Sequence, residues 1–138
     1  MSTPEVVAHR PRSVPPVRRL RAVTAVAAAR LLATRSPART RAVLRRLAVG
    51  ATPASYEQAK AARDDVVAVS LTCAAREGCV PRSLAVVLLC RAAGHGVTWC
   101  VGARRVPPFG AHAWVEVDGR PVDEPYPPDY FRTLFTEP

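Results

Sequence analysis

The chain has 138 residues, 49% of them apolar and 22% charged, with a formal net charge of +9. That is one domain with enough apolar content for a packed core, and its 7 Gly and 14 Pro fall short of a collagen-like or low-complexity composition. No apolar run reaches the roughly 18 residues a spanning helix needs, because Arg30 interrupts the Ala/Val-rich stretch 22–33 and Arg76 and Glu77 close the one after Val66. No membrane is expected. The basic N-terminus lacks the apolar region and small-residue cleavage site of a signal peptide, so the chain is read as cytoplasmic.

The charge is uneven. Residues 1–50 hold eleven Arg against the single acid Glu5, whereas residues 51–138 hold nine basic residues against ten acids. Such a segment suits nucleic acid, an anionic surface or an acidic protein face, but no aromatic residue precedes Tyr56, so single-strand binding by stacking has little support. An excess of Arg beside abundant Ala and Val is equally a compositional bias of the source genome. The four cysteines, at 73, 79, 90 and 100, form no C-x-x-C pair. A reducing compartment argues against disulfides, and Cys90, His95 and Cys100 at five-residue steps do not match zinc-site spacing, so neither a metal nor a cofactor is expected.

Residues 1–16 carry four prolines and no apolar period, as in a flexible arm, and 17–138 are expected to form one domain. Leu20, Val23, Ala27 and Leu31 recur at three and four residues with arginines between them, the pattern of an amphipathic helix. Ser36 followed by Pro37 caps a second helix with Val43, Leu44 and Leu47 on its apolar face, ending at Gly50. Together these predict a basic helical hairpin over 17–50. Ser55 and Gln58 have capping-box spacing, which predicts a third helix from Tyr56 to Ala75 with Val66, Val67, Val69, Ser70 and Cys73 turned inward. Glu77-Gly78 ends it.

A fourth helix is expected from Cys79 or Val80 to Ala93, with Pro81 in its first turn and Leu84, Val87, Leu88 and Arg91 on one face. Cys79 therefore stands at a helix N-terminus. Residues 97–102 and 111–117 read as strands. Asp118-Gly119 is a hairpin turn, so 120–124 should return antiparallel, at an edge because of Pro121. The tail from Pro125 reads as irregular surface structure.

Cys79, His112 and Asp123 are the candidate catalytic residues. A helix N-terminus favours thiolate over thiol and can stabilise an oxyanion. A histidine in reach takes the thiol proton and later delivers it to a leaving amine, and a carboxylate fixes its tautomer. With a two-residue turn Val117 pairs with Arg120, so Trp114 faces Asp123, and His112, Trp114 and Asp123 share one face of the sheet. A three-residue loop with a bulge would put Glu124 there instead. Asp123 is the preferred acid, and the adjacent Asp123-Glu124 pair leaves the choice open. Cys73, Cys90 and Cys100 are assigned to packing, His95 to an exposed helix stop and Ser83 to no catalytic task; His9, in the arm, is given no role. Trp114 is read first as core packing, while Trp99, Phe109 and Tyr126 lie near loops where they could read substrate side chains or simply be exposed.

The order of cysteine helix, histidine strand and acid strand resembles the transglutaminase-like branch of the papain-type cysteine proteases. More closely, Gly78-Cys79-Val80-Pro81-Arg82-Ser83-Leu84-Ala85, then Leu88-Leu89, and Ala111-His112-Ala113-Trp114-Val115-Glu116-Val117-Asp118-Gly119 resemble the leader peptidase of lasso-peptide biosynthesis. The resemblance covers about residues 20–125. It implies an α+β, transglutaminase-like fold with N-terminal helices and a nucleophile helix on a small antiparallel sheet. It also implies a cysteine peptidase that removes the leader of a ribosomally made precursor peptide, with Cys79 as nucleophile, His112 as base and acid, and Asp123 as orienting carboxylate. The implied partners are the precursor and a separate leader-recognition protein, with the ATP-dependent cyclase a further candidate; the basic hairpin is the candidate docking surface. The same fold and triad would also serve an acyl transferase or deamidase. A non-enzymatic basic adaptor acting through residues 1–50 is the alternative from another class.

Overall fold

The computed structural model describes residues 14–127 and 129–138. Most of the expected N-terminal arm, His9 included, lies outside them. Helix α1 (Pro16–Leu32) is followed by α2 (Pro37–Ala48), α3 (Tyr56–Val69), the short α4 (Leu71–Ala74), a 3₁₀ turn (Arg76–Gly78) and α5 (Cys79–Ala92). Strands β3 (Thr98–Arg104), β4 (Ala111–Val117), β5 (Arg120–Pro121) and β6 (Phe131–Glu137) form an antiparallel sheet of order β5-β4-β3-β6, while β1 (Thr52–Pro53) and β2 (His95–Gly96) make a two-residue parallel pair. The architecture is α+β.

The expected caps form. Ser36 Oγ accepts from the Arg39 amide at the start of α2, and Ser55 and Gln58 make the reciprocal capping box of α3. The third helix stops six residues short of the predicted Ala75, because Ser70 is extended and its hydroxyl caps a new turn by accepting from the Cys73 amide.

The first helix is turned over relative to its predicted face. Ala22, Ala25, Val26 and Ala29 are buried, while Leu20, Val23 and Leu31 are 68%, 45% and 61% exposed. Small side chains let α1 lie close against α5 and α3, and Arg18 anchors it with a 2.7 Å ion pair to Asp65 of α3. Its contacts with α2 are few, and the two helices meet through Val26, Ala29 and Leu44 in the common core.

Residues of opposite parity divide the sheet. Trp99, Ala113, Val115 and Val117 join Leu84, Ala85 and Val87 of α5 and Val66 of α3 in one hydrophobic core, while His112 and Trp114 point to the other face. The tail is not irregular: β6 pairs with β3 and is fastened to α2 through Glu137, which is 3% exposed and bonded to Arg41 and Arg45 at 2.7 and 3.1 Å. Part of the N-terminal basic charge is thus spent inside the fold. Trp99 is also internal, at 4% exposure, with its indole N–H donating to Ser83 Oγ at 2.9 Å. His95 is half-buried in β2 rather than an exposed stop.

Candidate active site

Cys79 is the first residue of α5, and its position is fixed from both sides. A Cβ on the preceding Gly78 would stand 1.9 Å from the Thr72 carbonyl oxygen, so only glycine lets the 3₁₀ turn pack against α4 and deliver Cys79 to the helix start. One turn into α5, the buried Arg82 donates to the carbonyls of Cys73 and Ala75 at 3.0 and 3.2 Å, tying down the segment that leads into Cys79.

His112 lies near the start of β4, 8% exposed. Its ring stacks on Phe131 at 4.6 Å and on Trp114 at 5.8 Å, with Tyr126 edge-on at 5.3 Å. Gly102, opposite His112 in the β3–β4 register, makes this cluster possible: a Cβ there would lie 2.6 Å from the Arg132 carbonyl oxygen and 2.8 Å from the Trp114 ring. Trp114 is accordingly neither in the main core nor in solvent; it backs the histidine.

The structure brings Glu124, not Asp123, to the histidine. His112 Nε2 lies 2.9 Å from Glu124 Oε2, and the carboxylate is buried. The two-residue turn forms as expected, with Asp118 and Gly119 at φ 51° and 75°, Val117 opposite Arg120, and the Val122 amide donating to Val115 O. Pairing then fails one residue later. Asp123 adopts φ 52°, its amide donates to Tyr56 Oη, and its half-exposed carboxylate meets Arg63 at 3.4 Å. The returning strand has already ended at Pro121, and this left-handed residue swings Glu124 onto the His112 face. Arg63, 5% exposed on α3, also approaches Glu124 Oε1 at 3.9 Å, a support that no spacing in the sequence announced.

The remaining contact joins the histidine to the thiol. Cys79 and His112 line the same cleft, and the His112 ring and the Ala113 amide act on the thiol; with Nε2 engaged by Glu124, Nδ1 is the ring nitrogen left to serve the sulfur. Burial alone would raise the Cys79 pKa, but these groups and the histidine's charge lower it. Burial alone would lower that of His112, yet Cys79 and Glu124 outweigh this and push it up to about 9. Both shifts favour a thiolate–imidazolium pair at neutral pH, helped by the aromatic faces around the ring. The other cysteines are buried, and burial pushes Cys90 up to about 11 and Cys100, with Glu116 beside it, up to about 12.

The pair opens onto a cleft of about 440 Å³ whose walls include Glu77, Arg104, Phe109, Tyr126, Tyr130 and Phe131. Among the described residues, no group of three or more His, Cys, Asp and Glu could hold a metal ion, and no helix is long and apolar enough to cross a membrane. A cysteine at a helix N-terminus with its pKa lowered, a histidine beside it with its pKa raised and a carboxylate behind the ring are the parts of a cysteine-nucleophile enzyme site.

Comparison with known proteins gives the same class. The model of the transglutaminase-like superfamily matches residues 22–136, and the chain belongs to that superfamily, whose members are often cysteine-based enzymes. No curated protein and no solved structure matches the chain.

Proposed function

We propose that the protein is a cysteine peptidase that removes the leader from a ribosomally synthesised lasso-peptide precursor. The observation that carries a cysteine hydrolase is Cys79 sharing the head of an open cleft with His112, whose ring is bonded to Glu124; the likeness of 78–89 and 111–119 to lasso leader peptidases supports the substrate. Cys79 is the nucleophile, His112 the base and acid, and Glu124 takes the orienting role first given to Asp123. Asp123 instead holds the bend that presents Glu124.

Cys79 Sγ attacks the scissile carbonyl carbon, and the oxyanion forms beside the N–H groups of the first turn of α5. As the C–N bond breaks, His112 gives its proton to the departing amine, leaving the leader as a thioester. His112 then removes a proton from water, which attacks the thioester and frees leader carboxylate and thiolate. No metal or cofactor takes part.

A separate leader-recognition protein is the proposed partner, docking on α1. Its outward face carries the exposed Val17, Leu20, Val23 and Leu31 between Arg19, Arg21 and Arg30; an apolar stripe rimmed by charge favours a partner with an acidic border.

Mass spectrometry of a lasso precursor incubated with this protein and the recognition protein tests the proposal. A single cut between leader and core is expected with wild type and none with Cys79→Ala. Cleavage by both proteins, or by neither, contradicts it.

A further inference from the structure

The cleft contains one cation that the chemistry above does not use. Arg104 ends β3, two residues beyond Gly102 and so on the His112 face of the sheet. Its guanidinium lies over the Tyr130 ring at 5.1 Å, and its Nε is buried with no hydrogen-bond partner. Among the described residues no carboxylate lies within ion-pair distance of it. Other arginines with buried or half-buried heads have acceptors: Arg63, although its Nη2 is also without a hydrogen bond, has the carboxylates of Asp123 and Glu124 at 3.4 and 3.9 Å, Arg41 meets Glu137, and Arg82 meets two backbone carbonyls.

A buried guanidinium N–H without an acceptor is costly, and the site persists because Tyr130 supplies a π face. Nε itself is closed off, so an anion entering the cleft would pair with the outer N–H groups of the half-buried guanidinium, which have no protein acceptor among the described residues. The planar fork of arginine fits a carboxylate, and the half-buried rings of Tyr126 and Phe131 line the cleft beside it. Glu77, on the same cleft and exposed, repels a second negative charge, so the cleft has a basic and an acidic wall.

We infer that Arg104, seated on Tyr130, forms a subsite for a carboxylate of the peptide substrate close to the bond that Cys79 attacks. The carboxylate comes either from an acidic side chain or from a free C-terminus. The inference rests on Cys79 being a reactive nucleophile, and it adds a preference for negative charge that the triad does not supply.

Three isosteric reagents test it on the full chain at neutral pH: the N-chloroacetyl derivatives of glutamic acid α-amide, of glutamine and of glutamine amide. They carry a side-chain carboxylate, a terminal carboxylate and neither. In each, the Cys79 thiolate displaces chloride, and the modified peptide is quantified by mass spectrometry. In wild type, at least one charged reagent should modify Cys79 about five-fold faster than the diamide, and which one does so identifies the source of the carboxylate. That ratio should fall to about one in Arg104→Gln and be partly retained in Arg104→Lys, with folding of both checked by circular dichroism. Equal rates for all three reagents in wild type, or a preference that survives in Arg104→Gln, would overturn the subsite while leaving the peptidase reading intact. Failure of every reagent to select Cys79 over the other cysteines would instead remove the nucleophile, and both proposals with it.

Discussion

The two faces of the β3–β4 pair are built from the same strands and do different work. The face toward α5 carries Trp99, Ala113, Val115 and Val117 and closes the hydrophobic core. The opposite face carries Gly102, Arg104, His112 and Trp114, roofed by Tyr126 and Phe131 and supplied with a carboxylate by Glu124. Burial is similar on both, since His112 and Val117 are each 8% exposed. What differs is that the second face buries an ionisable pair, His112 and Glu124, where the first buries apolar side chains and one indole N–H bonded to Ser83. A residue step of one along a strand therefore separates stability from chemistry.

The largest break in that comparison comes from Glu124. Glu124→Gln keeps the shape but removes the charge that raises the His112 pKa, and it should lower kcat/KM by about 10²-fold or more with little change in thermal midpoint. The sign of the pH effect follows from the same contact. His112 holds its proton to about pH 9, so activity should fall as pH rises through that value, and the fall should move to lower pH in Glu124→Gln. Asp123→Asn, which alters a half-exposed pair with Arg63, should change the rate only a few-fold, since such pairs contribute about 1 kcal/mol or less; pH–rate profiles of the two variants check both statements.

Gly102→Ala should cost both stability and activity. The added methyl meets Arg132 O and the Trp114 ring, and overpacking of this kind costs about 1–3 kcal/mol; urea denaturation should show the loss and kinetics a lower kcat as the His112 stack is displaced. Val115→Ala sharpens the comparison from the other side. It should cost about 2 kcal/mol of stability and, below the unfolding transition, leave kcat within about two-fold.

The sequence carried some of this clearly. Alternation over 111–117, the Asp118-Gly119 turn and the serine caps are local signals, and they appear where expected. Cys79 at a helix start and His112 on a strand follow from them. The acid did not, because two-residue pairing continued past Val122 selects Asp123, and only the left-handed backbone held by Tyr56 and Arg63 reverses the choice. Both of those residues lie on α3, some sixty positions away. Strand β6 was hidden for a related reason: its pairing with β3 and the burial of Glu137 by Arg41 and Arg45 are long-range. Two faces of α1 carry apolar residues at helical spacing, and the larger side chains lie on the outer one. Close helix packing selected the alanines instead.

The central claim is that Cys79 and His112 exist as a thiolate–imidazolium pair. The most direct measurement is the rate of Cys79 alkylation by iodoacetamide across pH 4–10, followed by mass spectrometry in wild type and Glu124→Gln. The account predicts rapid modification that persists well below the ordinary thiol pKa of about 8.5, with a second change near the histidine pKa of about 9 that shifts downward in the variant. A single transition near pH 8.5, the same in both proteins, would contradict it.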